Sequence, residues 1–222
     1  MHKDQIVKSI QEAREKARKR NFKQTFDLVI NLKNMDLKRP EHKVEIFATL
    51  PKGRGKSNKV CALVGQELVT QAKKVCDKVI LDEEFAEIAG NKKALKDLVN
   101  QFDFFIAQAN IMTKVAGAFG KVLGPRGKMP NPKAGAIVSP KAEIEMVYKK
   151  LQGTVKLATR NELSIKCPIG IEDMDNNDIA ENVEYVYNLV LHALPQEKQN
   201  IADVSIKLTM GSPVNLGGAK ND

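Results

Sequence analysis

Tryptophan is absent from this 222-residue chain, and aromatic residues make up only 5% of it. A protein that stacks successive bases on aromatic side chains needs more than that, so an extended stacking platform is not expected. Histidine is equally scarce. His2, His42 and His192 lie far apart in the chain, which argues against a metal site. Cys61, Cys76 and Cys167 are an odd, scattered set with no Cys-x-x-Cys spacing. They read as reduced thiols rather than as a disulfide or zinc framework. No secretory-signal pattern is present, and no apolar run approaches the roughly 20 residues that a membrane span requires. These absences set the expectation of a soluble, cytoplasmic protein that makes no membrane contact and carries no metal or other cofactor.

Positive charge, by contrast, is plentiful. The formal net charge is +9, which favours a polyanionic partner. The excess is uneven: residues 1–65 hold 16 Lys and Arg against 7 Asp and Glu, residues 66–155 hold 14 against 10, and residues 156–222 hold 6 against 10. The first segment is therefore the basic one and the last is acidic.

Hydrophobic rhythm divides the chain in the same places. Ile6, Val7, Ile10, Ala13 and Ala17 have helical spacing over 4–20, with Asp4 suited to cap the start and Asn21 the end. Arg14, Lys16, Arg18, Lys19 and Arg20 crowd the last turns of that helix. They suit either a solvated helix end complementing the macrodipole or a phosphate-contacting one, and spacing does not choose. Phe26, Leu28, Ile30 and Leu32 alternate, predicting a strand over 22–33, and Val44 to Leu50 alternate again beyond a polar connection containing Pro40. The two strands suit a long-looped hairpin. Pro51 to Ser57 then form a basic glycine loop, a natural hinge.

From Val60 the pattern changes to short strands alternating with helices: strands at 60–64, 78–81 and 103–107, helices near 67–75, 83–100 and 110–122. That alternation predicts a parallel sheet with helices on both faces. Residues 123–135, rich in Gly and Pro and carrying Arg126, Lys128 and Lys133 with no acid, are expected to be a shaped loop through which no helix runs. A short strand at 136–139, and a helix opening at Pro140 and ending near Gly153, complete the middle. Longer strands then return. Val155 and Leu157, with Leu163, Ile165 and Cys167, read as a hairpin around Thr159-Arg160-Asn161-Glu162. A helix capped by Asp175 spans 175–194, a last strand covers 203–210, and the tail from Gly217 is expected to fray. The economical arrangement is an α+β split domain made from both termini, residues 1–65 plus 156–222, with an α/β domain of residues 66–155 inserted into it.

Three motifs fall short of function. Gly55-Lys56-Ser57 ends like a phosphate-binding P-loop, but Leu50 stands where the leading glycine belongs, so a basic hinge loop is the better reading. Asp173, Asp175, Asn177 and Glu184 match a calcium loop until position 6, where Asp178 replaces glycine, and acids at a helix N-terminus account for them. Gly117-Ala-Phe-Gly sits late on a helix and is no dinucleotide fingerprint. Nothing argues for catalysis; an enzyme with a basic loop acting on a phosphorylated substrate is the alternative class, resting on fold analogy alone. Phe22 and Thr25, which open the first long strand, and Thr209-Met210-Gly211, which close the last, read most simply as ordinary strand ends. In a domain built from both chain ends those strands commonly neighbour each other, and hydroxyls, a polarisable thioether and a close-approach glycine suit a folded RNA surface.

The stretch Gly124-Pro-Arg-Gly-Lys-Met-Pro-Asn-Pro-Lys-Ala-Gly135, with Leu50-Pro-Lys-Gly-Arg-Gly55 and Thr209-Met-Gly211, resembles the L-one family of large-subunit ribosomal stalk proteins over essentially the whole chain. The resemblance implies a split domain with an inserted Rossmann-like three-layer domain, and a structural ribosomal protein rather than an enzyme. It implies binding to large-subunit ribosomal RNA, a mobile stalk near the tRNA exit site that assists release of deacylated tRNA, and repression through the protein's own messenger leader. Outside the ribosome a monomer is expected. By the same resemblance the RNA-binding positions are Phe22, Thr25, Asp27 (where Glu is common), Thr209, Met210 and Gly211. Asn21 stands where some members carry Lys, and Ser212-Pro213 reverses the familiar order after the glycine. Arg126, Lys128 and Lys133 are expected to make secondary RNA contacts, with Gly53, Gly55 and Gly153 at hinges.

Overall fold

The computed structural model describes residues 3–39, 42–159 and 162–217. Along the chain, α1 (Lys3–Lys16) leads to β1 (Thr25–Leu32), β2 (Glu45–Thr49) and β3 (Val60–Val64). Next come α2 (Val69–Val75), β4 (Lys78–Leu81), α3 (Phe85–Gly90), α4 (Lys92–Gln101), β5 (Phe104–Gln108) and α5 (Met112–Arg126). Then follow β6 (Ile137–Val138), α6 (Ile144–Gln152), β7 (Thr154–Ala158), β8 (Ser164–Ile171), α7 (Asn176–Ala193), β9 (Ile201–Leu208) and β10 (Val214–Asn215). Contacts divide the chain into two compact units: Met1–Lys56 with Gly153–Asp222, and Ser57–Gln152.

The first unit is built on an antiparallel sheet of order β10-β9-β1-β8. β1 lies between β9 and β8, so all its backbone groups can be spent on ladder bonds. Its side chains alternate strictly: Phe26, Leu28, Ile30 and Leu32 are buried while Thr25, Asp27, Val29 and Asn31 are half-buried. The buried row joins Ile6, Ile10 and Ala13 of α1 and Ile179, Val183, Val186 and Val190 of α7 in one core. Side chains of this size stabilise the fold by about 1.5–3 kcal/mol each when fully buried. α7 starts where Asp175 accepts the Asn177 N–H at 2.9 Å, as its sequence predicts. In β8 the register slips by one residue between Gly170 and Pro168, opposite Phe26 and Asp27. Proline is tolerated there because β8 is an edge strand and the slip is a bulge.

Two expected hairpins are not present. β2 pairs with β7, not with β1, and β8 pairs with β1, not with β7. The reason lies in bonds made around the supposed turns. Thr159 N–H donates to the Val44 carbonyl at 3.0 Å and its hydroxyl accepts the Val44 N–H at 3.0 Å, while Leu163 O accepts the Leu32 N–H at 2.8 Å. Both sides of the 159–163 connection are thus already committed to the N-terminal strands. Pro40, Arg160, Asn161 and the tail beyond Gly217 lie outside the described residues. The two-residue strand β10 had no readable period.

The second unit is a parallel sheet of order β4-β3-β5-β6. β3 is buried at every position, as a central parallel strand covered on both faces should be. Cys61 and Leu63 pack into a cluster with Phe85, Leu98, Val115 and Phe119, and the Phe85 and Phe119 rings meet edge-to-face with centroids 5.1 Å apart. Three expectations change here. The helix predicted over 83–100 is broken at Asn91, whose side chain accepts the Ala94 N–H at 3.1 Å and so caps α4. α5 runs into the Gly-Pro stretch as far as Arg126, with Pro125 in its last turn. Gly127, at φ 64°, donates its N–H to Gly124 O, and Lys128 N–H donates to Leu123 O, a Schellman ending that closes the helix just after the proline. Finally, α6 starts at Ile144, because Ser139 to Ala142 first close a turn with Pro140 at its second position and Ala142 N–H on Ser139 O.

Candidate nucleic-acid interface

Sequence-distant residues meet at one end of the four-stranded sheet. Thr25 N–H donates to the Thr209 hydroxyl at 3.1 Å across a separation of 184 residues. The Thr25 carbonyl accepts both the Thr209 N–H, at 3.0 Å, and the Thr209 hydroxyl, at 3.2 Å. Beyond this closure the chain turns, with Gly211 N–H donating to Leu208 O at 2.9 Å. A Cβ on Gly211 would stand 3.3 Å from the Leu208 Cβ and 3.5 Å from the Ala17 Cβ, so glycine permits the turn to sit against the end of α1. Met210 and Phe22 are left 59% and 51% exposed.

Gln24, which sequence reasoning did not single out, ties this junction together. It is buried; its Oε1 accepts the Met210 N–H at 3.1 Å, its Nε2 donates to Arg18 O at 3.3 Å, and its carbonyl accepts the Glu172 N–H at 3.0 Å. A buried amide flanked by polar residues carries no periodic signal that would mark it in advance.

On the half-buried face of the sheet, Thr25, Asp27, Thr209, Pro168, Ile171, Arg54 and Lys56 line a shallow cleft of about 300 Å³. Burial pushes the Asp27 carboxyl above the ordinary carboxylate range, and Lys207, its partner across the β1–β9 ladder, opposes the shift. Arg54 and Lys56 come from the basic glycine loop, which the sequence presents only as a hinge. Three-dimensional placement adds them to the site.

Other candidate residues are distributed less simply. Arg14 turns inward. Its guanidinium donates to Asn176 Oδ1 at 2.8 Å, to Met174 O at 2.6 Å and to the Glu172 carbonyl, and it lies over the Phe26 ring at 5.1 Å from the centroid. Desolvation on burial lowers its pKa. Lys16 pairs with Glu12 on its own helix. Arg18, Lys19 and Arg20, together with Asn21, are exposed and lie beyond the helix end. On the second unit, Arg126 donates to Lys96 O at 3.3 Å and to Asn100 Oδ1. Lys128 donates to Val99 O at 2.9 Å and Phe102 O at 2.6 Å, satisfying carbonyls at the end of α4, and burial lowers its pKa. Lys133 is exposed. Gly53 and Gly55 both adopt positive φ, 64° and 74°, and Gly153 O accepts the Leu50 N–H at 2.9 Å. The thiols of Cys61 and Cys167 are pushed up to about 12 by burial, and among the described residues no acid, histidine and cysteine group could hold a metal ion.

Residues 13–212 match the Ribosomal protein L1p/L10e family. The chain belongs to this family. It is 38% identical over 216 residues to Large ribosomal subunit protein uL1 of Methanothermococcus thermolithotrophicus, covering 97% of this chain and 99% of that protein. It is 40% identical over 214 residues to the protein of the same name from Nanoarchaeum equitans, covering 95% and 98%, and 36% identical over 215 residues to that of Thermococcus kodakarensis, covering 96% and 97%. These relatives are named as ribosomal proteins, not as enzymes.

Proposed function

We propose that this protein binds a folded site on large-subunit ribosomal RNA through the junction of Phe22, Thr25 and Asp27 with Thr209, Met210 and Gly211. The observation that carries the reading is the hydrogen-bonded closure of Thr25 on Thr209, which sets two exposed apolar side chains beside a polar cleft with cations at its edge. Such a surface suits a folded RNA: threonine and backbone groups meet 2′-hydroxyls, the apolar side chains pack on ribose or base faces, and lysine and arginine contact phosphates. The RNA-binding part is a split α+β domain made from both termini with a Rossmann-like domain inserted; the bounds expected from the sequence, 65/66 and 155/156, shift because β3 lies in the inserted sheet and β7 pairs with β2. The division of contacts near 56/57 and 152/153 supports that reading.

On the ribosome the bound protein forms the mobile stalk near the tRNA exit site and assists release of deacylated tRNA, with Arg126, Lys128 and Lys133 as secondary RNA contacts. Gly53, Gly55 and Gly153, expected from the sequence at hinges, stand just before and just after the two connections between the domains. The protein is cytoplasmic and ribosome-bound, monomeric when free, and represses translation by binding its own messenger leader. Co-sedimentation with large subunits at moderate salt tests the assignment, since an enzyme would stay in the supernatant. In a filter-binding titration, Met210→Asp or Thr209→Ala is expected to weaken binding to stalk RNA by about 1–3 kcal/mol. Unchanged affinity in both variants would remove these residues from the interface.

A further inference from the structure

The loop between β2 and the second unit closes a turn of its own, with Gly53 N–H on Leu50 O at 3.1 Å, and is also tied down by a buried side chain from far along the chain. Asn182, on α7, is fully buried. Its Oδ1 accepts the Lys52 N–H at 3.1 Å, and its Nδ2 donates to Gly53 O and to Ile169 O, both at 2.8 Å. A buried amide with these three bonds anchors the loop to α7 and to the bulged edge strand at once. A second restraint follows two residues later. Gly55 has φ 74°, and a Cβ there would stand 2.6 Å from Ile171 Cγ1 and 2.9 Å from Met174 Sδ, so the backbone is seated directly on these side chains. Lys52 adds an exposed ion pair to Asp178 and Glu181, at 3.5 Å each. Between and beyond these restraints, Arg54 and Lys56 line the cleft that also contains Thr25, Asp27 and Thr209.

Resting on the RNA-binding reading above, we propose that residues 51–56 form the phosphate-contacting arm of the cleft, and that Asn182 is the positioning residue that holds this arm in place. The ligand group is a sugar–phosphate backbone. The cleft offers two cations against one carboxylate, and that carboxylate is half-buried beside Lys207. The Thr25 hydroxyl supplies a neutral donor that a ribose or phosphate oxygen accepts from, while the Thr209 hydroxyl, its hydrogen committed to the Thr25 carbonyl, offers only an acceptor to a ribose hydroxyl. Asn182 touches no RNA in this arrangement; it acts through Lys52 and Gly53.

The test is the salt dependence of binding to an RNA transcript of the large-subunit stalk region, measured with the whole chain. Arg54→Ala and Lys56→Ala are each expected to lower the magnitude of the slope of log K against log salt by about one. Asn182→Ala is expected to lower it as well, and adding Lys56→Ala to that variant should change it little further, because the arm is already released. A variant that merely loosened the fold would lower affinity without flattening the slope. If Asn182→Ala does not fold, Asn182→Asp, which keeps the acceptor for the Lys52 N–H but loses the donor to Gly53 O and Ile169 O, takes its place with the same expected loss of slope. Wild-type protein binding with a slope unmoved in Arg54→Ala and Lys56→Ala overturns the arm. A slope lowered in both surface variants but unmoved in folded Asn182→Ala overturns the positioning role. Wild-type protein that fails to bind the transcript overturns the RNA-binding reading, and the arm with it.

Discussion

Asp27 occupies a position where alternation alone predicts a solvated side chain, yet it is half-buried between β8 and β9 and its carboxyl is held above the ordinary range by desolvation. Its folded pKa therefore exceeds its unfolded one. The linked stability is fully present below about pH 4, the unfolded value, and is lost as pH rises through the raised folded value. Urea denaturation of Asp27→Asn should consequently show the variant gaining stability relative to wild type as pH rises from about 4 toward 7; parallel profiles would mean that the carboxyl is not perturbed. Gln24 is the complementary case. Replacing it with Leu leaves the Met210 N–H and the Arg18 carbonyl without their partner, and should cost about 1–3 kcal/mol in thermal denaturation. A melting temperature equal to wild type would show that water replaces the amide at no cost. Thr25 and Thr209 were visible in the sequence because they stand at the ends of strands with clear alternation, whereas Asp27 entered only through the family resemblance. Gln24, Arg54 and Asn182 were not, because Gln24 and Asn182 bond to residues far away in the chain and Arg54 lines a cleft with such residues.

At the scale of elements, most strands and helices follow from local pattern, including the fully apolar run of β3 and the Asp175 cap of α7. Pairing does not. β1 and β2 alternate as hairpin partners would, but each finds its neighbours more than 100 residues later, in β8, β9 and β7. Periodicity reports which face of a strand is buried and is silent on which strand lies beside it. The Gly-Pro stretch shows the opposite error. Proline was weighed as a helix breaker, but Pro125 is the penultimate residue of α5, so it costs a single i→i−4 bond before Gly127 closes the helix. The basic loop gives an element-scale prediction. Gly55→Ala must fit a methyl group 2.6 Å from Ile171 Cγ1 at a positive φ, and should destabilise the first unit by about 1–3 kcal/mol in chemical denaturation. No change would mean the loop lifts freely from β8.

For the whole molecule, charge and topology point the same way. The basic excess of residues 1–65 lies in the segment that supplies β1, the exposed cations after α1 and the 51–56 loop, while the second unit keeps Arg126 and Lys128 bonded to α4. The Gly-Pro stretch that carries the family resemblance most clearly is thus not where the proposed specific contacts gather. Specific RNA binding is proposed for the unit formed by both chain ends. The most direct measurement joins residue 56 to residue 153 through a short flexible linker, removing 57–152, and titrates stalk RNA against the fragment and the whole chain at one moderate salt concentration, with folding checked by circular dichroism. The fragment is predicted to fold and to bind the stalk RNA in preference to unrelated RNA, within about tenfold of the whole chain, a difference of about 1.4 kcal/mol. A folded fragment that binds both RNAs equally would contradict the account.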